Sequence, residues 1–255
     1  MIRQVQRYFI RLAYNGARYH GWQVQENARS VQQEITRAFE LIWKAEISLV
    51  GCGRTDTGVH AKDYYAHFEL EESKSALDLD EMAFRLNRYL DDDLVIIKIF
   101  PVPSDLHARF SAISRTYKYF VHIRKDPFLL DSSWFVPHPV DLDRMNDGCK
   151  LIVQTSDFTS FSKLHSAAKT NICRVTHAEW NQQGHQLVFT ITADRFLRNM
   201  VRAIVGTLID LGQGKISTED LKKIIDGKDR ALAGESVPAK GLFLTEIRYP
   251  EFAQE

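Results

Sequence analysis

The same order of predicted strands and helices occurs twice along the sequence. In the first half the order is β-α-β-β-α-β, and the strand-like segments are "QRYFIRLAY", "ISLVG", "YYAHFEL" and "LVIIKIF". The first helix is predicted to begin after Ser30 and the second after Asp78, because serine and aspartate are common N-cap residues. This order of elements is that of a ferredoxin-like domain.

The second half repeats the order from "RTYKYFVHI" to "GLFLTEIRY". A long apolar helix is predicted over "FLRNMVRAIVGTLIDLG" with Gly212 as its C-terminal cap, and a shorter helix is predicted to begin at Ser217. We therefore predict an α+β fold of two ferredoxin-like, RRM-like halves, with domains at residues 1–105 and 106–255. Many unrelated proteins share this order, RNA-binding RRM domains among them, so the order assigns no function.

Cysteine content and hydropathy indicate the compartment. Cys52, Cys149 and Cys173 lie far apart and form no C-x-x-C pair, which argues against a disulfide framework and favours a reducing compartment. No apolar run approaches the ~20 residues that a membrane span needs. The N-terminal segment lacks the apolar core of a signal peptide. We predict a cytoplasmic protein that does not associate with a membrane.

The charged residues are distributed unevenly. Formal net charge is zero, but residues 1–25 and 106–125 contain arginines and lysines and no acidic residue. Basic faces of this kind attract phosphates even when the whole protein is neutral. Chance patchiness on solvated surfaces explains the same pattern, so the charge distribution only mildly favours a polyanionic partner.

The segment "GCGRTDTGVHA" places Asp56 in a glycine-flanked stretch, two residues after Arg54. An aspartic protease needs two carboxylates that share one proton, and the chain contains a single D-T-G. A nearby guanidinium favours an ionised carboxylate, which suits a nucleophile. A loop in which Asp56 only accepts backbone hydrogen bonds explains the same spacing, and aspartate in such loops is common.

The segment "RTYKY" interleaves aromatic and cationic residues. Tyr117 and Tyr119 share one face of a predicted strand, with Arg115 and Lys118 close by, which suits base stacking and phosphate contact. A position in the hydrophobic core is at least as good an interpretation of Tyr119. Arg202 lies on the apolar helix, either as a snorkelling surface residue or as the counter-ion of a carboxylate.

Three histidines and the first cysteine are candidate zinc ligands. Structural zinc sites need four ligands with close pairings, and this spacing is missing in the candidates, which are Cys52, His60, His67 and His107. We predict no metal site.

Six segments in a fixed order carry a resemblance to a known family. They are "RYFIRLAYNGARYHGWQVQ", "GCGRTDTGVHA", "LHARFSAISRTYKYFV", "DFTSF", "FLRNMVRAIVG" and "GLFLTEIRYP", and they extend over almost the whole chain. The set resembles the TruA-type tRNA pseudouridine synthases. Each segment alone is modest support, whereas six in order on the predicted repeat are specific.

The resemblance implies a fold, a reaction and partners. It implies a pseudouridine synthase fold with a central cleft, in which uridine is isomerised to pseudouridine at positions 38, 39 and 40 of the tRNA anticodon stem-loop. It also implies that no cofactor and no metal is needed, and that a homodimer binds one tRNA across both subunits. The alternative is a non-catalytic RNA-binding or chaperone-like protein that kept the fold.

The resemblance also assigns roles to residues. Asp56 is the catalytic aspartate of the G-R-T-D-x-G-V-H-A motif, and Tyr117 packs on the target uracil as a candidate for assisting proton transfer. Arg202 is expected to pair with Asp56, and Arg54 to hold the backbone around the flipped nucleotide. The substrate-binding residues also include Arg115 and the apolar wall of the uracil pocket, Leu242 and Leu244.

The sequence departs from the family pattern at three positions. Asn15 stands where many relatives carry Asp, Thr57 where Ala is usual, and Leu106 where Phe commonly precedes "HARF". None of these departures removes a predicted catalytic group. Thr57 is adjacent to Asp56, where its hydroxyl is expected to offer an additional hydrogen bond.

Overall fold

The computed structural model describes residues 5–44, 46–71, 78–163 and 169–250. It confirms a mixed α+β architecture. The chain divides into two compact units, one formed by residues 1–113 and 244–255 and the other by residues 114–243. The domain limits of 1–105 and 106–255 stay a prediction, since a compact unit is defined by contacts and a domain by independent folding.

The described residues of the first unit form an antiparallel sheet and two α-helices. The strands are β1 (Val5–Tyr14), β2 (Val50–Gly51), β3 (His60–Glu71) and β4 (Leu94–Val102). The helices are α1 (Val31–Trp43) and α2 (Leu79–Tyr89). Strand β1 pairs with both β3 and β4, and β2 pairs with β3, so the spatial order is β4-β1-β3-β2. The central position of β1 explains its continuous buried run of tyrosine, phenylalanine and isoleucine.

Both helices of the first unit begin where their capping residues predict. The Ser30 side chain accepts a hydrogen bond from the Gln33 amide, and the Asp78 carboxylate accepts from the amides of Asp80 and Glu81. These contacts satisfy amide groups that have no partner within the first turn of a helix. The sequence prediction of both N-caps is confirmed.

The described residues of the second unit form a mixed set of strands and three α-helices. The strands are β5 (Ser114–His122), β6 (Trp134–Phe135), β7 (Val175–Gln183) and β8 (Gln186–Ala193). The helices are α3 (Leu142–Gln154), α4 (Met200–Gly212) and α5 (Thr218–Gly227). Strand β8 lies between β5 and β7, and β6 pairs in parallel with β5. Strand β9 (Leu242–Arg248) begins in this unit and continues in the first.

The limits of α4 differ from the prediction at both ends. The helix begins at Met200 rather than near Phe196, because Asn199 adopts a left-handed conformation with φ of 67°. Gly212 is its last helical residue rather than its cap, and the left-handed turn that follows is made by Gly214, with φ of 71°. Hydrophobic periodicity identified the helix, but it contains no information about single backbone dihedrals.

An asparagine on a helix pairs with an edge strand in each unit. Asn87 of α2 donates to the Ile96 carbonyl and accepts from the Ile96 amide on β4, at 2.8 and 2.7 Å. Asn146 of α3 makes the same two bonds with Trp180 on β7, at 3.0 and 2.8 Å. Unpaired groups on an edge strand are a template for pairing with another chain. The side-chain amides of Asn87 and Asn146 therefore occupy the backbone hydrogen-bonding groups of one residue on each edge strand.

We predict that Asn146→Leu lowers the free energy of unfolding by about 1–3 kcal/mol, because the amide and carbonyl of Trp180 lose their partner. We also expect concentration-dependent association through β7. Urea denaturation and sedimentation velocity measure the two effects. Asn181→Leu, which adds the same side chain at an exposed position of β7, is the control. Equal stability and association of the two variants would contradict the prediction.

We predict that His67 makes the stability of the first unit sensitive to pH. It is buried on β3, and its Nδ1 accepts a hydrogen bond from the Ala108 amide at 3.2 Å. Burial, with smaller contributions from His107 and Arg7, lowers the pKa of His67 to about 4. Between this value and the ordinary pKa of about 6.5, the unfolded chain binds a proton that the folded protein does not.

Stability is therefore expected to fall as pH is lowered from about 7 towards 4, since protons favour the unfolded state in that window. His67→Gln keeps a hydrogen-bond acceptor and removes the titration, so its urea midpoint should change less over the same window. The control is His138→Gln, at a solvent-exposed histidine. A wild-type pH profile that His67→Gln leaves unchanged would refute the assignment.

Candidate functional site

Asp56 lies in the loop that connects β2 with β3. The residue is partly buried, whereas the Arg54 side chain is exposed to solvent. The Asp56 carbonyl accepts a hydrogen bond from the Val59 amide at 3.1 Å, and Gly58 between them has φ of 78°. The loop is thus a tight turn that needs glycine at its left-handed position.

Residues 16–22 hold this turn through backbone groups. The Trp22 amide donates to the Thr55 carbonyl at 3.4 Å, and the Gly58 amide donates to the Tyr19 carbonyl at 3.2 Å. Gly21 lies so close that a Cβ at this position would overlap the Thr55 carbonyl oxygen. Positions on both sides of Asp56 are therefore fixed by one neighbouring segment.

Aromatic rings hold the start of the same loop. The rings of Trp22 and Tyr64 are stacked with centroids 4.2 Å apart, and the Tyr64 hydroxyl donates to the Gly53 carbonyl. A Cβ at Gly51 would overlap the Tyr64 hydroxyl and the Trp22 ring, so only glycine fits there. Sequence reasoning missed this supporting set, although "YNGARYHGW" signals part of it by placing three aromatic residues close to two glycines.

The histidines and the cysteine that are zinc-ligand candidates in the sequence are packed against other protein groups. Cys52 and His60 are both buried, and His60 Nδ1 accepts a hydrogen bond from the Gly16 amide at 3.1 Å. The rings of His67 and His107 are in edge contact, with centroids 4.6 Å apart. Within the ranges that the structure describes, no group of three or more histidine, cysteine, aspartate or glutamate side chains is arranged to hold a metal ion.

A cavity of about 610 Å³ in the first unit does not contain the predicted catalytic residue. Its lining includes Arg7, His67, Glu69 and His107. Of these side chains, Arg7 already donates hydrogen bonds to Glu69 and to the Leu106 carbonyl. We assign this cavity no part in the candidate site.

The two tyrosines of "RTYKY" have different environments. Tyr119 is fully buried, its hydroxyl donates to the Pro238 carbonyl at 2.8 Å, and burial raises the pKa of this group. Tyr117 is half-buried, and its ring meets Phe196 edge-on at 5.1 Å. Tyr119 is therefore a core residue, and Tyr117 is the tyrosine of this pair with a partly accessible ring.

Arg202 is held in a defined orientation on α4. It is half-buried, and its Nε donates to the Val237 carbonyl at 2.7 Å, while the Val237 amide donates to the Arg202 carbonyl at 3.3 Å. A freely snorkelling side chain would not be fixed through Nε. The geometry suits a guanidinium that presents its terminal nitrogens in one direction.

The remaining predicted residues are placed as follows. Arg115 is half-buried and its Nη1 donates to the Asp194 carbonyl at 2.7 Å. Leu242 and Leu244 are buried in the first part of β9. Asp56, Arg54 and Leu244 belong to the first unit, and the second unit contains Tyr117, Arg202, Arg115 and Leu242. The roles of all seven residues stay predictions.

The three departures from the family pattern are compatible with the local structure. The Asn15 side chain accepts a hydrogen bond from the Ala17 amide at 3.0 Å and caps a short 3-10 turn. Leu106 is buried, so its apolar character is retained, and Thr57 is exposed. None of the three disrupts the turn around Asp56.

The helices of the described residues are not membrane spans. None of them combines the length and the apolar character needed to cross a bilayer.

Comparison with known proteins gives one consistent family. A family model described as tRNA pseudouridine synthase matches residues 149–250. The chain is 49% identical over 247 residues to a tRNA pseudouridine synthase A of Parabacteroides distasonis, covering 97% of each chain. It is 50% identical to the protein of that name in Porphyromonas gingivalis, covering 96% of this chain and 97% of the relative. A relative from Clostridium acetobutylicum with the same name is 38% identical over 94% of this chain.

The matches to these relatives cover nearly all of this chain and therefore include both compact units. The motif with Asp56, the tyrosine segment and the arginine of α4 all lie within the matched length. The chain therefore belongs to the tRNA pseudouridine synthase A family.

Proposed function

We propose that this protein isomerises uridine to pseudouridine at positions 38, 39 and 40 of the tRNA anticodon stem-loop. The carrying observation is that Asp56, in a chain 49% identical to a tRNA pseudouridine synthase A, lies partly buried in a turn fixed by hydrogen bonds on both sides. A backbone held in this way restricts the positions from which the Asp56 carboxylate can attack. The reaction needs no cofactor.

The proposal includes the finer architecture and the assembly. The first unit supports a ferredoxin-like half, because its strand order β4-β1-β3-β2 is antiparallel throughout and its element order is β-α-β-β-α-β. We extend this to a second ferredoxin-like half and a central cleft that receives the nucleotide. We further propose a cytoplasmic homodimer that binds one tRNA across both subunits.

The chemistry begins with extrusion of the target nucleotide. A base inside a stacked stem is out of reach of a side chain, and unstacking costs a few kcal/mol. The bond between N1 of uracil and C1′ of ribose then breaks, and a bond between C5 and C1′ forms. N1 gains a proton and C5 loses one, so the product is an isomer of the substrate. Asp56 assists this exchange as a nucleophile on ribose or base, or by promoting a glycal intermediate.

Tyr117 is proposed to pack on the target uracil. Its ring is braced edge-on by Phe196, which limits the positions that the phenol can take. A ring fixed in this way holds the detached base in place while it turns, and its hydroxyl is a candidate for assisting the transfer of the C5 proton. Leu242 and Leu244 are proposed as the apolar wall that prevents the base from escaping.

The arginines are proposed to have two roles, one at the catalytic carboxylate and one at the RNA backbone. Arg202 pairs with Asp56 and stabilises the negative charge of the reacting groups through its guanidinium. Exposed Arg54 and half-buried Arg115 contact the RNA backbone.

Replacing the proposed catalytic aspartate tests the activity. We predict that Asp56→Asn lowers conversion of unmodified tRNA at least about 10³-fold, while tRNA affinity changes less than about threefold, because the amide cannot act as a nucleophile. Pseudouridine is measured by mass spectrometry of digested tRNA. Asp92→Asn, which removes the same charge at an exposed position of the first unit, is the control.

Two outcomes of the Asp56→Asn experiment would contradict different parts of the proposal. Full conversion by Asp56→Asn would remove Asp56 from the chemistry. Tight tRNA binding without conversion by the wild-type protein would favour a non-catalytic RNA-binding protein.

Arg202→Leu separates pairing with Asp56 from RNA binding. We predict about a 10²-fold decrease in the rate constant of the chemical step with little change in tRNA affinity, since the lost interaction stabilises charge in the reacting groups and does not contact the phosphate backbone. Single-turnover rates at saturating enzyme give the first quantity and filter binding the second. Arg144→Leu, at an exposed arginine of α3 in the same unit, is the control. A loss of affinity alone would identify Arg202 as a phosphate contact.

A further inference from the structure

We propose that Tyr14 is a positioning residue for Asp56 and that it acts through the Thr55 hydroxyl. The Tyr14 Oη lies 2.9 Å from the Thr55 Oγ1, within hydrogen-bonding distance, and both residues are buried. Thr55 directly precedes Asp56 in the chain. The inference depends on the proposed function only in taking Asp56 as the reacting carboxylate.

The side-chain hydroxyl and the backbone carbonyl of Thr55 both have hydrogen-bond partners. The hydroxyl bonds to Tyr14, and the carbonyl oxygen accepts from the Trp22 amide and is backed by Gly21. This fixes the peptide plane between Thr55 and Asp56. Because the direction of the Asp56 Cα–Cβ bond follows from that plane and from the backbone dihedrals, Thr55 sets the position from which the carboxylate rotamers extend.

The other side of Asp56 is held independently of Tyr14. Its carbonyl bonds to the Val59 amide, and the Gly58 amide bonds to Tyr19. Loss of the Tyr14 contact would therefore loosen only the Thr55 side of the turn, where the Trp22 amide remains the partner of the Thr55 carbonyl. Asp56 would remain in place but would adopt a broader range of orientations, which is the behaviour expected when a positioning contact is removed.

Tyr14 is itself rigid. It is the last residue of β1 and lies opposite Ala61 on β3 and Leu94 on β4. Its ring packs on Tyr64 with centroids 5.6 Å apart. Because the Tyr14 hydroxyl is attached to a central strand, its hydrogen bond fixes the position of the Asp56 loop relative to the sheet.

A purely structural hydroxyl would give a different result from a positioning one. Removal of a buried hydroxyl that only satisfies its partner lowers stability and leaves the reaction intact. Removal of a positioning contact lowers kcat and leaves substrate affinity unchanged, since small misplacement affects the transition state most. The effect on kcat, compared with the effect on KM, therefore distinguishes a purely structural hydroxyl from a positioning one.

The test compares Tyr14→Phe, Thr55→Val and the double variant on unmodified tRNA. We expect each single variant to lower kcat about tenfold with KM within about twofold of wild type, and the double variant to be no slower than either. Thr55→Ser keeps the hydroxyl and should recover most of the wild-type kcat. Tyr8→Phe makes the same chemical change at another buried tyrosine of β1 and should leave kcat unchanged.

A second measurement does not need activity. Amide hydrogen exchange at residues 53–57 should accelerate in Tyr14→Phe and not in Tyr8→Phe. An unchanged kcat in Tyr14→Phe, an equal loss in Tyr8→Phe or additive losses in the double variant would overturn the proposal. If wild type makes no pseudouridine, the proposed function fails, and hydrogen exchange then shows whether Tyr14 orders the Thr55 side of the turn.

Discussion

The pairing of β1 with two neighbours is the interaction on which the candidate site of the first unit depends. Strand β1 bonds to β3 along one edge and to β4 along the other, so its position is fixed by two hydrogen-bonded ladders. The chain leaves β1 at Tyr14 and immediately forms the segment that surrounds the Asp56 turn. Loops that carry function need a rigid support, and here the support is the central strand itself.

Close approach of two backbones explains why this support uses glycine and aromatic residues together. Gly21 lets the first segment reach the Thr55 carbonyl, and Gly51 makes room for the ring of Trp22. The rings of Trp22 and Tyr64 then fill the space beside the backbone that the glycines leave open. The result is a turn held by backbone hydrogen bonds and packed on rigid surfaces, which limits the entropy that the reacting geometry would otherwise cost.

Local signals predicted much of this protein, and non-local contacts account for what they missed. Ser30 and Asp78 mark helix starts because a cap depends on residues two to three positions away. The bond between Tyr14 and Thr55 joins residues 41 positions apart, so no local pattern indicates it. The prediction for α4 was wrong at its start for a related reason, since the left-handed Asn199 bonds through its side chain to Ser236, far along the chain.

The orientation of Arg202 follows from a glycine one helical turn away. Arg202 and Gly206 are four residues apart on α4 and therefore share one face of the helix. A Cβ at Gly206 would overlap the Glu235 carbonyl, so the segment that contains Val237 lies against α4 only because residue 206 has no side chain. That approach brings the Val237 carbonyl to the Arg202 Nε. The orientation of Arg202, which is proposed to act in catalysis, therefore depends on the absence of a side chain at residue 206.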